Sequence, residues 1–236
     1  MSRKGQKKAI RESGFPGSLG SPEALGEAAV FLQKIERWRR LFKGDLTPLN
    51  PLQEKLVEQI ELAFAGVSCH HESRVMLCGE AADEYMSAEA EAVLATREER
   101  DDWHAIPDDM VCACSTALCF VGPEAYRFLI PRYMIAAMHE VVEVYPGLSA
   151  GSELEDYIRR KKSLLNEAQQ QCLSDFLNVQ QVDAETGEYH GRSQFLPWEL
   201  DEYRAHFADK LTPREYGALL VQRYAERMGL SCRGSV

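Results

Sequence analysis

A chain of 236 residues that is 45% hydrophobic and 27% charged can form a sizeable core, which excludes collagen-like, low-complexity and wholly disordered proteins. Its formal net charge of −10 repels phosphate and therefore disfavours a large nucleic-acid-binding face. No segment reaches the roughly 20 apolar residues that a membrane helix needs, so we expect no membrane contact.

The N-terminal segment is basic and rich in glycine and serine. Residues 1–22 contain five lysines and arginines and one glutamate, so they carry +4 and the remaining residues carry −14. This composition predicts a flexible basic arm over residues 1–20, followed by a helical domain over residues 21–236. The segment lacks the apolar stretch of a signal peptide, and the odd number of cysteines, seven, favours reduced thiols. We therefore expect a cytoplasmic location.

Capping residues and apolar spacing predict helices in chain order near residues 22–42, 51–65, 123–143, 166–180 and 213–228. Proline follows a capping residue at most of these starts, and Asn166 with Gln169 forms a capping-box pair. Strand signals are confined to short pieces such as residues 141–145. The predicted fold class is therefore mainly α, a single compact multi-helix domain with at most short β segments. Pro131 lies inside one predicted helix, where it predicts a kink or a break.

Large aromatic side chains recur on the predicted helices, and we expect them to form one core cluster. The expected members are Phe64, Trp103, Phe120, Tyr126, Phe128, Tyr133 and Phe176. In the first helix, Trp38 follows the helical spacing of the apolar residues Leu25, Ala28 and Ile35, which predicts a shared apolar face.

The centre of the chain carries blocks with a recognisable order. The most distinctive are Asp102-Trp103 and Tyr126-Arg127-Phe128-Leu129-Ile130-Pro131-Arg132-Tyr133-Met134. This arrangement resembles a bacterial domain family of unknown function, whose members share an Asp-Trp pair and an aromatic-Arg-aromatic-x-x-Pro-x-Tyr-Met segment. The resemblance covers roughly residues 52–180 and leaves residues 181–236 as a C-terminal helical extension. It implies a shared fold, and it implies no activity, cofactor or catalytic residue.

Two arginines lie within this aromatic block. One interpretation is structural: an arginine among apolar side chains pairs with a carboxylate, and Asp102, Asp83 and Glu124 are the candidate partners of Arg127. The other interpretation is an anion site built from Arg127, Arg132 and tyrosine hydroxyl groups. The candidate binding residues of the block are Arg127, Arg132, Tyr126, Tyr133, Asp102 and Trp103.

One enzyme motif occurs, since residues 147–151 match the G-x-S-x-G turn that exposes a nucleophilic serine in hydrolases. Ser149 is therefore the one candidate catalytic residue. Pro146 is poorly suited to the end of a central strand, and the polar segment that follows is unsuited to packing beneath a sheet. We predict that Ser149 is not a nucleophile.

Metal and cofactor motifs are weaker. Cys69, His70, His71 and Cys78 supply soft ligands without a second pair at zinc-site spacing, and Cys112 and Cys114 diverge on a helix. No phosphate-binding or dinucleotide-binding glycine pattern is present. We expect neither a metal site nor a cofactor.

Two functional hypotheses remain. The leading one is a non-enzymatic cytoplasmic helical protein that binds an unknown partner protein, which a large exposed apolar groove would favour. The alternative is a small hydrolase that uses Ser149 or a carboxylate cleft, which a deep pocket with perturbed acids would favour.

Overall fold

A computed structural model describes residues 20–71, 74–141, 165–179, 182 and 197–230. Within these ranges the α-helices are α1 Pro22–Arg39, α2 Pro51–Ala63, α3 Met76–Asp83, α4 Ala88–Ala95, α5 Asp108–Ala113, α6 Ala117–Phe120, α7 Pro123–Met138, α8 Glu167–Val179, α9 Pro197–Glu202 and α10 Pro213–Arg227. A 3-10 turn, Trp103–Ala105, precedes α5, and a π-helical turn, Tyr203–Phe207, follows α9. The same ranges hold no β-strand, apart from a single bridge residue at position 182, so the predicted mainly α class is confirmed.

The helix starts follow the local signals. The Ser21 side chain accepts a hydrogen bond from the backbone N–H of Ala24 at the start of α1. Capping boxes begin α2 at Asn50 and α10 at Thr212, where each N-cap side chain and the third helical side chain bond reciprocally to backbone N–H groups. The predicted starts are therefore confirmed. The helices end one to five residues earlier than expected. No helix of the described ranges has the length and apolar content to cross a bilayer.

Helix α7 continues through Pro131, so a break at this position does not occur. Ten residues of α7 are buried, Pro131 among them. Burial of most of a helix supplies far more free energy than the loss of one backbone hydrogen bond costs. Tertiary packing therefore outweighs the local penalty of the proline.

The described helices belong to two compact units: the first contains α1 and α3 to α7, and the second contains α2 and α8 to α10. In the first unit, α1 packs against α4 and α5, and α3 packs against α6. The approach of α3 to α6 is close, because a Cβ added at Gly79 would lie 2.7 Å from Val121 Cγ1 and 2.9 Å from the carbonyl oxygen of Ala117. Glycine is therefore required at that contact.

In the second unit, α8 packs against both α2 and α10. Phe64, Phe176 and Tyr224 are fully buried, and the Tyr224 hydroxyl donates a 2.9 Å hydrogen bond to the carbonyl oxygen of Leu52. Gln169 is also buried and donates from Nε2 to the carbonyl oxygen of Ala63 at the end of α2, at 3.0 Å.

The expected aromatic cluster is thus divided between the units. Phe64 and Phe176 belong to the second unit, and the other expected members belong to the first. Phe120 is 39% exposed, so its assignment to the core is wrong. It is the last residue of α6, a helix of four residues whose buried positions are Ala117 and Leu118.

Candidate functional site

The Asp-Trp pair forms a capped turn in the first unit. The Asp102 carboxylate accepts hydrogen bonds from the backbone N–H of His104 at 3.0 Å and from His104 Nδ1 at 2.7 Å, and these bonds lower the pKa of Asp102. Trp103 is only 2% exposed, and its ring stacks on the His104 ring with 3.6 Å between centroids. Within the pair, Asp102 therefore caps the turn at the surface, and Trp103 packs in the core of the first unit.

Arg132 and Tyr133 are engaged in contacts that hold neighbouring segments. Arg132 donates from Nε to the carbonyl oxygen of Ile106 at 2.7 Å and from a terminal nitrogen to Asp108 Oδ1 at 2.5 Å. The Tyr133 hydroxyl donates to the carbonyl oxygen of Cys114, and burial raises the Tyr133 pKa well above its usual range. These two side chains fix the segments around α5 against α7.

Arg127 pairs with none of its three expected carboxylate partners. Asp102 accepts from His104, Asp83 accepts from Thr116, and Glu124 accepts from the backbone N–H of His70. The buried Arg127 Nε has no hydrogen-bond partner within the described ranges, and the three candidate carboxylates accept from other donors there. Arg127 and Arg132 are five positions apart on α7, which turns their side chains about 140° from each other. The helix therefore does not bring the two guanidinium groups together.

Tyr126, the remaining member of the block, is 5% exposed and belongs to the core of the first unit. Ser149 and the whole G-x-S-x-G segment lie outside the described residues. So do residues 1–19 of the basic arm.

Partly buried carboxylates join the helices of the first unit. Glu98 accepts hydrogen bonds from the backbone N–H groups of Leu77 at 3.0 Å and Cys78 at 2.8 Å, at the start of α3. Glu80 accepts from the backbone N–H and the hydroxyl of Thr116. Burial raises the pKa of both carboxyl groups. Their partners are backbone and hydroxyl donors of adjacent segments, so these acids act as internal helix caps.

The cysteines of the described ranges are free thiols. Burial raises the pKa of Cys114 well above its ordinary value and that of Cys172 to about 12, so both are poor nucleophiles and poor metal ligands. His70 Nε2 lies 3.7 Å from Asp101 Oδ1 on the surface. Across the described part of the chain, no three His, Cys, Asp or Glu side chains converge to hold a metal ion.

A groove of about 710 Å³ runs along α1 in the first unit, and we call it the α1 groove. Its apolar floor is formed by Ala29, Leu32, Ile35, Leu77 and Met110. Its basic rim is formed by Arg37, Arg39, Arg40 and Arg97. An apolar floor within a basic rim can accept a partner that carries both apolar and acidic side chains.

Carboxylates neutralise only part of this rim. Arg39 Nε donates to Asp109 Oδ2 at 2.9 Å, and Glu36 accepts from Arg39 at 3.4 Å and from Arg40 at 3.3 Å. Arg37 is exposed and has no ion pair within the described ranges. The rim therefore keeps a net positive charge in a chain whose total charge is −10.

Exposed apolar side chains extend along the same helix and just beyond its end. Val30 is 68% exposed, Trp38 is 51% exposed, and Leu41 is 62% exposed. The expectation that Trp38 shares the buried face of α1 is therefore wrong, whereas Leu25, Ala28 and Ile35 are buried as expected. Side chains of this size on one exposed helix are a common property of protein-binding surfaces.

The second unit contains a polar cleft of about 280 Å³ between α8, α9 and α10, which we call the acidic cleft. Asp175, 3% exposed, receives a 2.7 Å and a 2.8 Å hydrogen bond from one Arg227 nitrogen. It also accepts from Gln59 Nε2 at 3.1 Å and Gln171 Nε2 at 3.0 Å. Desolvation raises the pKa of Asp175 in spite of these partners.

A second buried carboxylate lines the same cleft. Glu199, also 3% exposed, accepts through Oε1 from the Ser174 hydroxyl and from Asn178 Nδ2, the latter at 3.3 Å. Glu202 pairs with Arg223 at 3.3 Å near the surface. The sequence contains no motif that marks this cleft, because its residues come from helices far apart in the chain.

Comparison with family models identifies the chain through its central part. Residues 52–198 match the model of a family of unknown function (DUF6714), and the chain belongs to that family. The resemblance noted from the sequence is thereby confirmed at the level of a family of unknown function. No curated protein and no solved structure matches the chain.

Proposed function

We propose that this member of the family acts by binding another protein, and that the partner docks in the α1 groove. The observation that carries the proposal is the combination of an apolar floor, a basic rim and exposed apolar side chains along α1. Burying an apolar surface of this kind against a partner supplies binding free energy of about 25 cal/mol per Å² before the costs of association.

The chemistry of the groove defines the partner. Leu32, Leu77 and Met110 are apolar and accept aliphatic or aromatic side chains, and methionine adapts readily to irregular partners. Arg37 and Arg40 at the rim favour carboxylates at the edges of the bound segment. We therefore assign the partner as an amphipathic protein segment whose apolar face is flanked by aspartate or glutamate. Free thiols in the described ranges support the cytoplasm as the compartment of this interaction.

A photo-crosslinking amino acid placed at Gln33, an exposed residue of the groove, tests the site directly. The matched control carries the same amino acid at Gln222, which is exposed on α10 in the second unit. Full-length protein is expressed in its native host, irradiated and purified, and the crosslinked peptides are sequenced by mass spectrometry. We expect the Gln33 variant to capture one partner segment that combines apolar residues with flanking acids.

Charge reversal tests the rim. Arg37→Glu should reduce capture of that partner by at least about tenfold, or about 1.4 kcal/mol, because it places a carboxylate against the acids of the partner. Arg214→Glu, which reverses another exposed arginine in the second unit, should leave capture unchanged. Crosslinks that are equally frequent at Gln33 and Gln222, or a captured segment flanked by lysine and arginine, would contradict the proposal.

The alternative function, hydrolysis by a carboxylate cleft, finds less support. The acidic cleft has a buried carboxylate with a raised pKa, as that hypothesis requires. However, the oxygens of Asp175 accept four hydrogen bonds from Arg227, Gln59 and Gln171. A general base needs a free lone pair within reach of its substrate, and here the donors occupy those positions. These contacts therefore favour a structural role for Asp175, which links α2, α8 and α10 through Gln59, Gln171 and Arg227.

A further inference from the structure

The turn that ends α3 holds a tyrosine in the left-handed backbone region. Tyr85 has a φ of 56°, and the backbone N–H groups of Tyr85 and Met86 donate to the carbonyl oxygens of Ala82 at 3.2 Å and Ala81 at 3.3 Å. Glycine is the usual residue at this position of a helix end, because a Cβ atom crowds the neighbouring carbonyl oxygen. The Tyr85 side chain is 95% exposed, so almost none of it is buried to offset this strain.

Polar contacts with α1 fix the position of the turn. Glu84 pairs with Lys34. Ser87 donates from its backbone N–H and its hydroxyl to the Glu27 carboxylate, at 3.0 Å and 2.6 Å. Val30 is 68% exposed and lies on the same face of α1, one turn from each of the two α1 residues that hold the turn. The exposed tyrosine therefore has an exposed valine beside it.

These apolar side chains and their charged neighbours form one surface of the first unit, which we call the Tyr85 patch. Its members are Val30, Tyr85, Glu27, Lys34, Asp83 and Glu84. The lysine neutralises Glu84. Asp83 and Glu27 accept hydrogen bonds from uncharged hydroxyl groups, which leave their negative charges in place. The patch is therefore an aromatic ring and a valine beside uncompensated acids.

The α1 groove has the complementary character. Its floor is apolar, and Arg37 on its rim is exposed and has no ion pair in the part of the chain that the structure describes. Two copies of a chain with a net charge of −10 repel each other at long range. Association of two copies is therefore favoured where a basic surface of one meets an acidic surface of the other.

We propose that the α1 groove of one copy of this chain binds the Tyr85 patch of a second copy. This inference rests on the proposed function and names its partner, since Tyr85 beside Asp83 is the combination of apolar and acidic side chains that the groove accepts. Within the described ranges, the members of the patch do not line the groove of their own chain, and their contacts with α1 hold them in place. The contact therefore forms between copies, head to tail.

Two variants test the two sides of this contact separately. Tyr85→Gly removes the ring and relieves the backbone strain, so it should weaken association at least about tenfold while the melting temperature stays the same or rises. Arg37→Glu reverses a charge of the groove and should also weaken association at least about tenfold. Leu62→Ala is the control, because Leu62 is 81% exposed in the second unit, and it should leave association unchanged.

Sedimentation velocity of the purified full-length protein measures association over about a hundredfold range of concentration. We expect the average mass of the wild type to rise above the 26.7 kDa of one chain as concentration increases. In an equimolar mixture of Tyr85→Gly and Arg37→Glu, the first variant supplies an intact groove and the second an intact patch. The mixture should therefore form a dimer at concentrations where each variant alone is monomeric.

A wild type that stays monomeric over the whole range overturns the proposal. So does a mixture that stays as monomeric as its components, or a Tyr85→Gly variant that associates as the wild type does. The two proposals fail separately. If the wild type is monomeric and the crosslinker at Gln33 captures an acidic and apolar segment of a different protein, the Tyr85 patch is refuted as the partner and the proposed function stands. If the wild type is monomeric and crosslinks are equally frequent at Gln33 and Gln222, both proposals are refuted.

Discussion

Replacement of Gly79 by alanine tests the packing of the first unit. In the interior of a helix, alanine is favoured over glycine by about 1 kcal/mol, so propensity alone predicts that Gly79→Ala stabilises α3. The structure predicts instead that Gly79→Ala destabilises the protein. The new Cβ would lie 2.7 Å from Val121 Cγ1 and 2.9 Å from the Ala117 carbonyl oxygen, and backbone cannot rotate away. Such overpacking costs about 1–3 kcal/mol, and contacts with backbone belong at the upper end of that range.

Gly26 provides the matched control, because it lies inside α1 of the same unit and a Cβ there would have no heavy atom within 4 Å. Gly26→Ala should therefore raise the free energy of unfolding by about 0.5–1 kcal/mol. Both variants gain a similar amount of stability from the higher helix propensity of alanine. The difference between their free energies of unfolding therefore measures the cost of the clash at residue 79. We expect Gly79→Ala to be less stable than Gly26→Ala by about 1–3 kcal/mol.

Urea unfolding of the full-length chain, followed by tryptophan fluorescence, measures these differences, because Trp38 and Trp103 both belong to the first unit. A shift of the midpoint at constant slope reports a change in stability. If Gly79→Ala proved as stable as Gly26→Ala, the close approach of α3 to α6 would not exist, and the described packing of the first unit would be refuted.

Three further outcomes follow from buried and partly buried groups of the first unit. Trp103→Ala should destabilise the protein by about 3–5 kcal/mol, since Trp103 is 2% exposed; an unchanged melting temperature would contradict its place in the core. Arg132→Lys should cost about 1–2 kcal/mol in urea unfolding, because lysine cannot reproduce the fork that contacts Ile106 and Asp108. Burial raises the folded-state pKa of Glu98, so its stabilising contribution is complete below the unfolded pKa and is lost as pH rises through the folded value. As pH rises above the ordinary glutamate pKa of about 4.3, the wild type should therefore lose more stability than Glu98→Gln, and parallel pH profiles would exclude this role.

The sequence alone determined the features that depend on neighbours within one helical turn. The starts of α2 and α10 follow from Asn50 and Thr212, whose side chains bond to backbone N–H groups two or three residues away. The helical class followed from apolar spacing in the same way. These interactions are local, so the residues that make them are adjacent in the printed sequence.

The tertiary structure decided which apolar residues are buried. Spacing placed Trp38 with the buried face of α1 and assigned Phe120 to the core, yet both are substantially exposed. Periodicity identifies a candidate face, but the neighbouring helices determine how much of that face is covered. Pro131 shows that packing can also outweigh a local rule: that rule predicts a kink or a break, and α7 continues through the proline without a break.

The candidate sites also required the tertiary structure. Gln59 reaches Asp175 across 116 positions of sequence, and Arg227 reaches it across 52. No spacing rule connects residues so far apart, because their proximity depends on how α2, α8 and α10 pack. Local sequence signals therefore determined where these helices begin. The packing of one helix against another determined which charged side chains meet and which acceptors remain without donors.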